Sequence, residues 1–149
     1  HATAADDPEY ITDLGHYKVP VIFYVPSMPE LNGIDSTRVV NQIDIMPTVL
    51  GLLGYDKPYI AFGQDIFHTD ASASYAINYL PGSNYYQYLE GDWMLQFDGD
   101  NVTHAYRFKE DKLQKNDLKG QHPALAEKRM KSIIQQYMYR MNHNEMVVR

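Results

Sequence analysis

The fold of this chain is decided by residues 74–110, which read SYAINYLPGSNYYQYLEGDWMLQFDGDNVTHAYRFKE. This stretch divides into four strand-like runs, Ser74–Leu80, Tyr85–Glu90, Asp92–Asp98 and Val102–Glu110. Short aromatic and β-branched runs separated by Gly, Asn and Asp turns predict an antiparallel meander. In the third run Trp93, Leu95 and Phe97 occupy alternate positions. One face of the predicted sheet should therefore be strongly apolar, because alternate side chains of a strand point to the same face.

A helix should follow the meander and cover that apolar face. Apolar residues recur at helical spacing from Pro123 to Met141, and most of the basic residues lie off their stripe. The stripe consists of Ala126, Met130, Ile133, Ile134, Tyr137, Met138 and Met141. An amphipathic helix of this kind most simply packs across the sheet.

The chain before the meander has a different character. Val19–Val25 is a short apolar run bounded by prolines, which predicts a buried strand of a parallel or mixed sheet. Further on, the spacing predicts a helix over Ile45–Leu53, with Asp44 as its N-cap and Gly54 at its left-handed C-terminal cap. That helix is apolar nearly all round, so it should be buried. Strand, loop and helix together predict an α/β layer.

These elements predict two parts, residues 1–70 as the end of an α/β core and residues 71–149 as an antiparallel β-subdomain with a closing C-terminal helix. Buried α/β patterning gives way to hairpins around Phe67–Ala73. The expected fold class is thus α/β, in the form of an α+β fragment. A partial sheet layer should come first and a meander packed by a helix second.

Composition excludes several classes of function. The chain has 149 residues, 13 Lys and Arg against 19 Asp and Glu, a net charge of −6 and no cysteine. Without cysteine it can supply no disulfide, no thiolate zinc site and no cysteine nucleophile. Its acidic balance argues against a nucleic-acid partner, which would need a basic face, but leaves room for a local basic pocket.

Three segments in order resemble one known family. Val19–Pro26 resembles the sulfatase strand that ends in proline before a loop, and Phe62–Phe67 is similar to a "G-x-D/S-L/I" turn. Between them, Val39–Gly54 is similar to the family's "hxDhxPThhxhhG" helix, where h is apolar. Together they resemble the C-terminal part of the sulfatase and lipoteichoic-acid-synthase branch of the alkaline phosphatase superfamily. The resemblance implies an alkaline-phosphatase-like sheet layer for the first part of the chain.

The resemblance also implies site residues. Members carry an Asp-His pair of metal ligands ahead of a stretch similar to Pro8–Pro20, and His1 falls where the ligand histidine should be. Carboxylate and imidazole together hold a divalent ion (Mn, Mg, Ca or Zn), which activates a hydroxyl and clamps an ester oxygen. A terminal tag residue is the alternative reading of His1. His16 is the candidate for binding the anionic group of the substrate, with an ordinary surface histidine as its alternative.

The family's nucleophile and other acidic ligands precede this region, so no catalytic residue is assigned here. The expected function is the C-terminal portion of a metal-dependent sulfatase or phosphoglycerol transferase acting on sulfate or phosphate esters, inactive and without a stably bound metal by itself. Its partner would be the upstream catalytic domain of an extracytoplasmic, membrane-associated parent, and alone it should self-associate through its uncovered strand. The alternative is a stand-alone binding module that uses the tyrosine-rich sheet or the C-terminal helix.

Overall fold

A four-stranded antiparallel sheet, with strands in the order β1-β2-β3-β4, is the centre of the computed structural model, which describes residues 6–148. The strands are β1 (Tyr75–Leu80), β2 (Tyr85–Glu90), β3 (Trp93–Phe97) and β4 (Val102–Arg107). Each pairs with the next along the chain, so the predicted meander is confirmed. Gly91 joins β2 to β3 with a φ of +59°, a conformation that glycine adopts without strain.

Helix α2 (Ala124–Asn142) packs on one face of the sheet, as its apolar stripe predicts. Met130 on α2 is completely buried and belongs to the same core cluster as Tyr88 of β2 and Leu95 of β3. The rest of that core is formed by Phe97, Val102, Ala105 and Ala126. The hydrophobic effect therefore holds α2 and the sheet together through a single continuous core.

The C-terminal half of the predicted stripe does not reach this core. Tyr137, Met138 and Met141 are exposed. A helix of 19 residues is about 28 Å long at ~1.5 Å per residue, whereas a strand of six residues spans only about 20 Å. The helix is longer than the sheet beneath it, and at Tyr137 it meets Phe62 of the chain before the sheet, with the two ring centroids 5.3 Å apart.

The opposite face of the sheet carries a row of polar side chains. The register places Asn78, Gln87, Gln96 and His104 side by side across the four strands. Residues that precede the sheet in the sequence cover this face. The Gln96 side chain, for example, donates to the Asp13 carboxylate at 2.8 Å. Both faces of the sheet are thus covered, one by a helix and one by loops.

The covering chain contains helix α1 (Ile45–Leu52), which follows a 3-10 turn at Gln42–Asp44. Gly54 has a φ of +63° just after α1, which confirms the predicted C-terminal cap. Further 3-10 helices lie at Pro8–Ile11, Gly15–Tyr17, Pro29–Leu31 and Ala71–Ala73.

The predicted strand at Val19–Val25 is wrong. This segment is extended, but among residues 6–148 no neighbouring strand pairs with it. Its alternate side chains Ile22 and Tyr24 are 83% and 87% exposed, so it is not buried on both faces. An extended segment becomes a strand only where another backbone offers it complementary N–H and C=O groups, and among residues 6–148 no strand does so for this segment.

The predicted burial of α1 is also wrong. Pro47 and Thr48 are buried, but Met46, Val49 and Leu53 are exposed. The described residues cover one side of α1 only, so its second apolar side faces outward. The observed fold is therefore α+β, an antiparallel sheet with a C-terminal helix, and the region described before residue 71 contains one α-helix and no strand.

Because Met130 is fully buried beneath the helix, Met130→Ala should destabilise the protein by about 2–5 kcal/mol, through lost burial and the cavity left behind. Urea unfolding followed by circular dichroism measures the effect. Met138→Ala on the same helix is the matched control and should cost less than about 1 kcal/mol, since Met138 is exposed. Equal losses in the two variants would contradict the described packing of α2.

Candidate functional site

The segment that most resembles the sulfatase family is organised around the buried carboxylate of Asp44. Its Oδ2 accepts a hydrogen bond from the Asn41 N–H and its Oδ1 accepts one from the Gln64 N–H, both at 2.7 Å. Asp44 directly precedes α1, but its side chain bonds no N–H group of that helix. The predicted N-cap role is therefore wrong in its geometry. The carboxylate instead joins the chain before α1 to the loop after it.

Thr48 completes this connection from inside the helix. Its hydroxyl donates to the Asp44 carbonyl at 2.6 Å and accepts from the Ile66 N–H at 3.0 Å. The hydroxyl is fully buried and uses both its donor and its acceptor capacity, which is what burial of a polar group requires. Asp44 and Thr48 thus hold the Phe62–Phe67 turn against α1.

One glycine of the same segments is required by close approach. A Cβ atom at Gly63 would lie 2.1 Å from the Ile43 carbonyl oxygen, which is backbone, so no larger residue fits there without displacing the chain. A Cβ atom at Gly51 would lie 2.0 Å from the Asp65 carboxylate, the end of a side chain that can move. The second and third segments of the family resemblance therefore form one bonded and closely packed unit, which we call the Asp44 unit (residues 41–48 and 62–66).

The predicted site histidines are not brought together by the described part of the chain. His1 lies outside the described residues. His16 lies in the 3-10 turn Gly15–Tyr17, where its side chain is exposed. Its sequence neighbours Tyr17 and Lys18 line a cleft, whereas His16 is not one of the lining residues.

That cleft lies between the sheet and the chain that covers it, and its volume is about 700 Å³. Its floor is the polar face of β1 and β2, where Ala76, Asn78, Gln87 and Leu89 line the cavity. Its walls are formed by residues from three segments of the chain, within residues 9–21 (His16 not among them), residues 36–42 and residues 108–112. A cavity of a few hundred cubic ångströms with apolar walls and a few polar groups has the size and character of a small-molecule site.

The charged lining of the cleft is mostly cationic. Four cationic side chains, Lys18, Arg38, Lys109 and Lys112, line it together with one carboxylate, Glu9. Glu9 lies 2.6 Å from the Lys18 ammonium and 3.4 Å from that of Lys112. The hydrogen bond from Lys18 lowers the pKa of Glu9 against the opposing effect of burial. Arg38 also pairs with Asp35 at 3.6 Å and Lys109 with Asp92 at 3.0 Å, so the excess positive charge of the cleft comes from Lys18 and Lys112, which share Glu9. This excess can attract an anion.

Sequence analysis did not single out the floor amides or the cationic side chains of this cleft. The floor amides were visible only as polar residues alternating with aromatics, as Gln87 does between Tyr86 and Tyr88. The lysines come from distant parts of the chain and form no motif. Alternation could have located the polar face, but only folding places Lys18 and Lys112 beside it.

A comparison of the chain with protein-family models, curated proteins and solved structures found no match in any of the three.

Two further properties concern residues 6–148 alone. They contain no group of three or more His, Cys, Asp or Glu side chains placed to hold a metal ion. None of their helices has the length and apolar character needed to cross a membrane.

The Asp44 geometry predicts that Asp44→Asn is not a neutral change. An asparagine has one carbonyl oxygen, so its amide nitrogen would face the N–H of either Asn41 or Gln64, and that N–H would lose its acceptor. A loss of about 1–3 kcal/mol in the free energy of unfolding is expected, measured by urea titration at neutral pH. Asp56→Asn, at a side chain that is 78% exposed, is the control and should change little. If Asp44→Asn left the free energy of unfolding unchanged, Asp44 would be better described as a simple helix cap.

Asp44 should also make stability depend on pH. Burial raises the pKa of Asp44, although the N–H groups of Gln64 and Asn41 act to lower it. Above the ordinary carboxyl pKa the folded state therefore binds more protons than the unfolded state, so this group's contribution to stability falls as pH rises. The difference in unfolding free energy between wild type and Asp44→Asn should shrink as pH rises from about 4 through the raised pKa. If the difference in unfolding free energy instead grew as pH rises over this range, the raised pKa of Asp44 would be contradicted.

Proposed function

We propose that this chain is the C-terminal portion of a metal-dependent sulfatase or phosphoglycerol transferase of the alkaline phosphatase superfamily. The observation that carries the proposal is the Asp44 unit. Asp44, Thr48 and Gly63 are residues on which the resemblance rests, and each has a specific structural requirement there. A chance similarity of letters would not require the matching residues to contact one another. Their mutual contacts support a shared structural motif.

In the proposed protein this chain completes a site whose other parts lie upstream. His1 would be one ligand of a divalent ion, and His16 would contact the anionic group of a sulfate or phosphate ester. A catalytic metal site uses about three protein ligands, and residues 6–148 hold no such group. The other ligands and the nucleophile would therefore come from the upstream domain, where the bound ion would stabilise negative charge on the ester.

The uncovered apolar surface supports an upstream domain as the partner. Ile22 and Tyr24 project from an extended segment that has no neighbouring strand among the described residues, and Leu53, directly after α1, is 75% exposed. In an α/β protein a central strand and its flanking helix are covered by further layers. Sheet pairing to Val19–Val25 and packing on α1 would bury this surface. Without that domain the same surface would favour self-association. The parent protein would be extracytoplasmic and membrane-associated.

A second candidate function is a stand-alone binding module. The exposed side chains of Tyr137, Met138 and Met141 on α2 favour it, because an exposed apolar patch often marks a protein contact. The tyrosine-rich sheet contributes less to such a surface, since Tyr88 is buried and Tyr75 and Tyr86 pack against the core. The enzyme portion is the better candidate, because it accounts for the Asp44 unit in addition to the exposed apolar surface.

The test is activity with and without the upstream region. The 149-residue chain should turn over no aryl sulfate or aryl phosphate ester, whereas the longer protein should do so in the presence of a divalent metal. In the longer protein His1→Ala should lower kcat by about 10²-fold or more, because metal binding and charge stabilisation are lost together.

The matched control in the longer protein is His143→Ala, which changes an exposed histidine just after α2 and should leave kcat unchanged. Full activity of the His1→Ala variant would contradict the proposed ligand role. A native reading frame that starts at this segment, with no upstream domain, would contradict the proposal as a whole and leave the binding module.

A further inference from the structure

The floor of the cleft contains two buried polar atoms that lack hydrogen-bond partners. The Gln87 side chain is fully buried, and its Oε1 has no donor. On the neighbouring strand the Asn78 Nδ2 has no acceptor. The two amides contact each other only weakly, with Gln87 Nε2 at 3.5 Å from Asn78 Oδ1. Folded proteins rarely leave such groups unpaired unless water or a ligand completes them.

This result does not depend on which way the two amides are turned. If both were rotated by 180°, Gln87 Oε1 would face Asn78 Nδ2, and the other nitrogen and oxygen would lose their partners. One donor and one acceptor therefore remain free on the cleft floor in either orientation. Gln96, the next residue of the same polar row, is different, because Asp13 satisfies its amide nitrogen.

The free pair matches the chemistry of a hydroxyl group. A hydroxyl donates one hydrogen bond and accepts others, so one hydroxyl, or two adjacent ones, can satisfy both an amide oxygen and an amide nitrogen. A fully deprotonated inorganic anion such as sulfate can only accept from the nitrogen. Inorganic phosphate keeps at least one proton at neutral pH, but its donor and its charge belong to the same small group rather than to separate parts of one molecule. The floor thus favours a hydroxylated molecule over a simple ion.

The walls add two further requirements. Lys18 and Lys112 share one carboxylate, that of Glu9, so the two ammonium groups together keep a net positive charge. Apolar side chains on the same walls, among them Val21 and Val40, suit the carbon framework of an organic molecule. The volume of about 700 Å³ admits a ligand of the size of a monosaccharide derivative.

We propose that this cleft binds a small polyhydroxylated anion, such as a monosaccharide ester, whose hydroxyls bond Asn78 and Gln87 and whose charged group pairs with Lys18 and Lys112. The inference rests on the cleft alone and does not depend on the catalytic role proposed above. It concerns binding by the 149-residue chain without metal or upstream domain, so it can fail or succeed independently of that role.

Isothermal titration of the 149-residue chain tests this inference with four probes, namely glucose 6-phosphate, glucose 6-sulfate, glucose and inorganic phosphate. At least one glucose ester should bind more tightly than both glucose and phosphate, because only the esters engage floor and walls together. The comparison of the two esters identifies which anionic group the cleft prefers. Equal binding of ester and free phosphate, or no ester binding, would overturn the proposal and leave water as the occupant of the floor.

Three variants test whether the ester binds in the cleft. Lys112→Gln should weaken ester binding roughly tenfold, as expected when a charge-assisted hydrogen bond is lost, while Lys128→Gln on α2 removes the same charge outside the cleft and should have no effect. Gln87→Met keeps the side-chain volume and should weaken binding of the ester but not of phosphate. If Gln87→Met fails to fold, chemical-shift changes of the Asn78 and Gln87 side-chain amides on ester addition replace it. Unshifted amides, or equal weakening of ester binding by Lys112→Gln and Lys128→Gln, would overturn the inference.

Discussion

The alternation of side chains along four paired strands is the constraint on which the rest of this structure depends. Because successive residues of a strand point to opposite faces, the meander must present two different surfaces. One face collects Tyr88, Leu95 and Ala105 and is buried by Met130 of α2. The other collects Asn78, Gln87 and Gln96, and it can be covered only by chain that offers polar partners. Asp13 provides such a partner for Gln96, but the described chain provides none for the free atoms of the other two.

The buried carboxylate of Asp44 has the corresponding role in the chain that precedes the sheet. This region contains no strand among its described residues, so it has few backbone hydrogen bonds of its own. The carboxylate, the Thr48 hydroxyl and the close approach at Gly63 fix the position of the Phe62–Phe67 turn relative to α1. The Asn41 side chain then donates to the Ile77 carbonyl and ties this unit to β1. A small number of buried polar contacts thus orders a long segment of irregular structure.

The cleft and the uncovered apolar surface arise from the same arrangement but have different consequences. The cleft is a gap between the polar face and its loop cover, lined by cationic groups, and it suits a small anion. The exposed side of α1 and the unpaired segment around Ile22 and Tyr24 are apolar, and they suit a protein surface. In the proposed enzyme the uncovered apolar surface would contact the upstream domain, and the cleft would remain a separate binding site.

The sequence by itself determined the meander, the closing helix and their order, because these depend on local turn residues and on hydrophobic periodicity that each segment carries alone. The family resemblance included Asp44, Thr48 and Gly63 in two neighbouring segments, but the sequence assigned Asp44 to a helix cap and predicted no contact between those segments. The sequence could not predict that Val19–Val25 lacks a strand partner, since pairing is a property of two segments and the pattern describes only one. The predicted burial of α1 was wrong for the same reason, since a helix is buried only where other segments cover it. Only the tertiary structure brought Lys18 and Lys112 to the floor amides, because the residues that form the cleft are far apart in the chain and meet only through the fold.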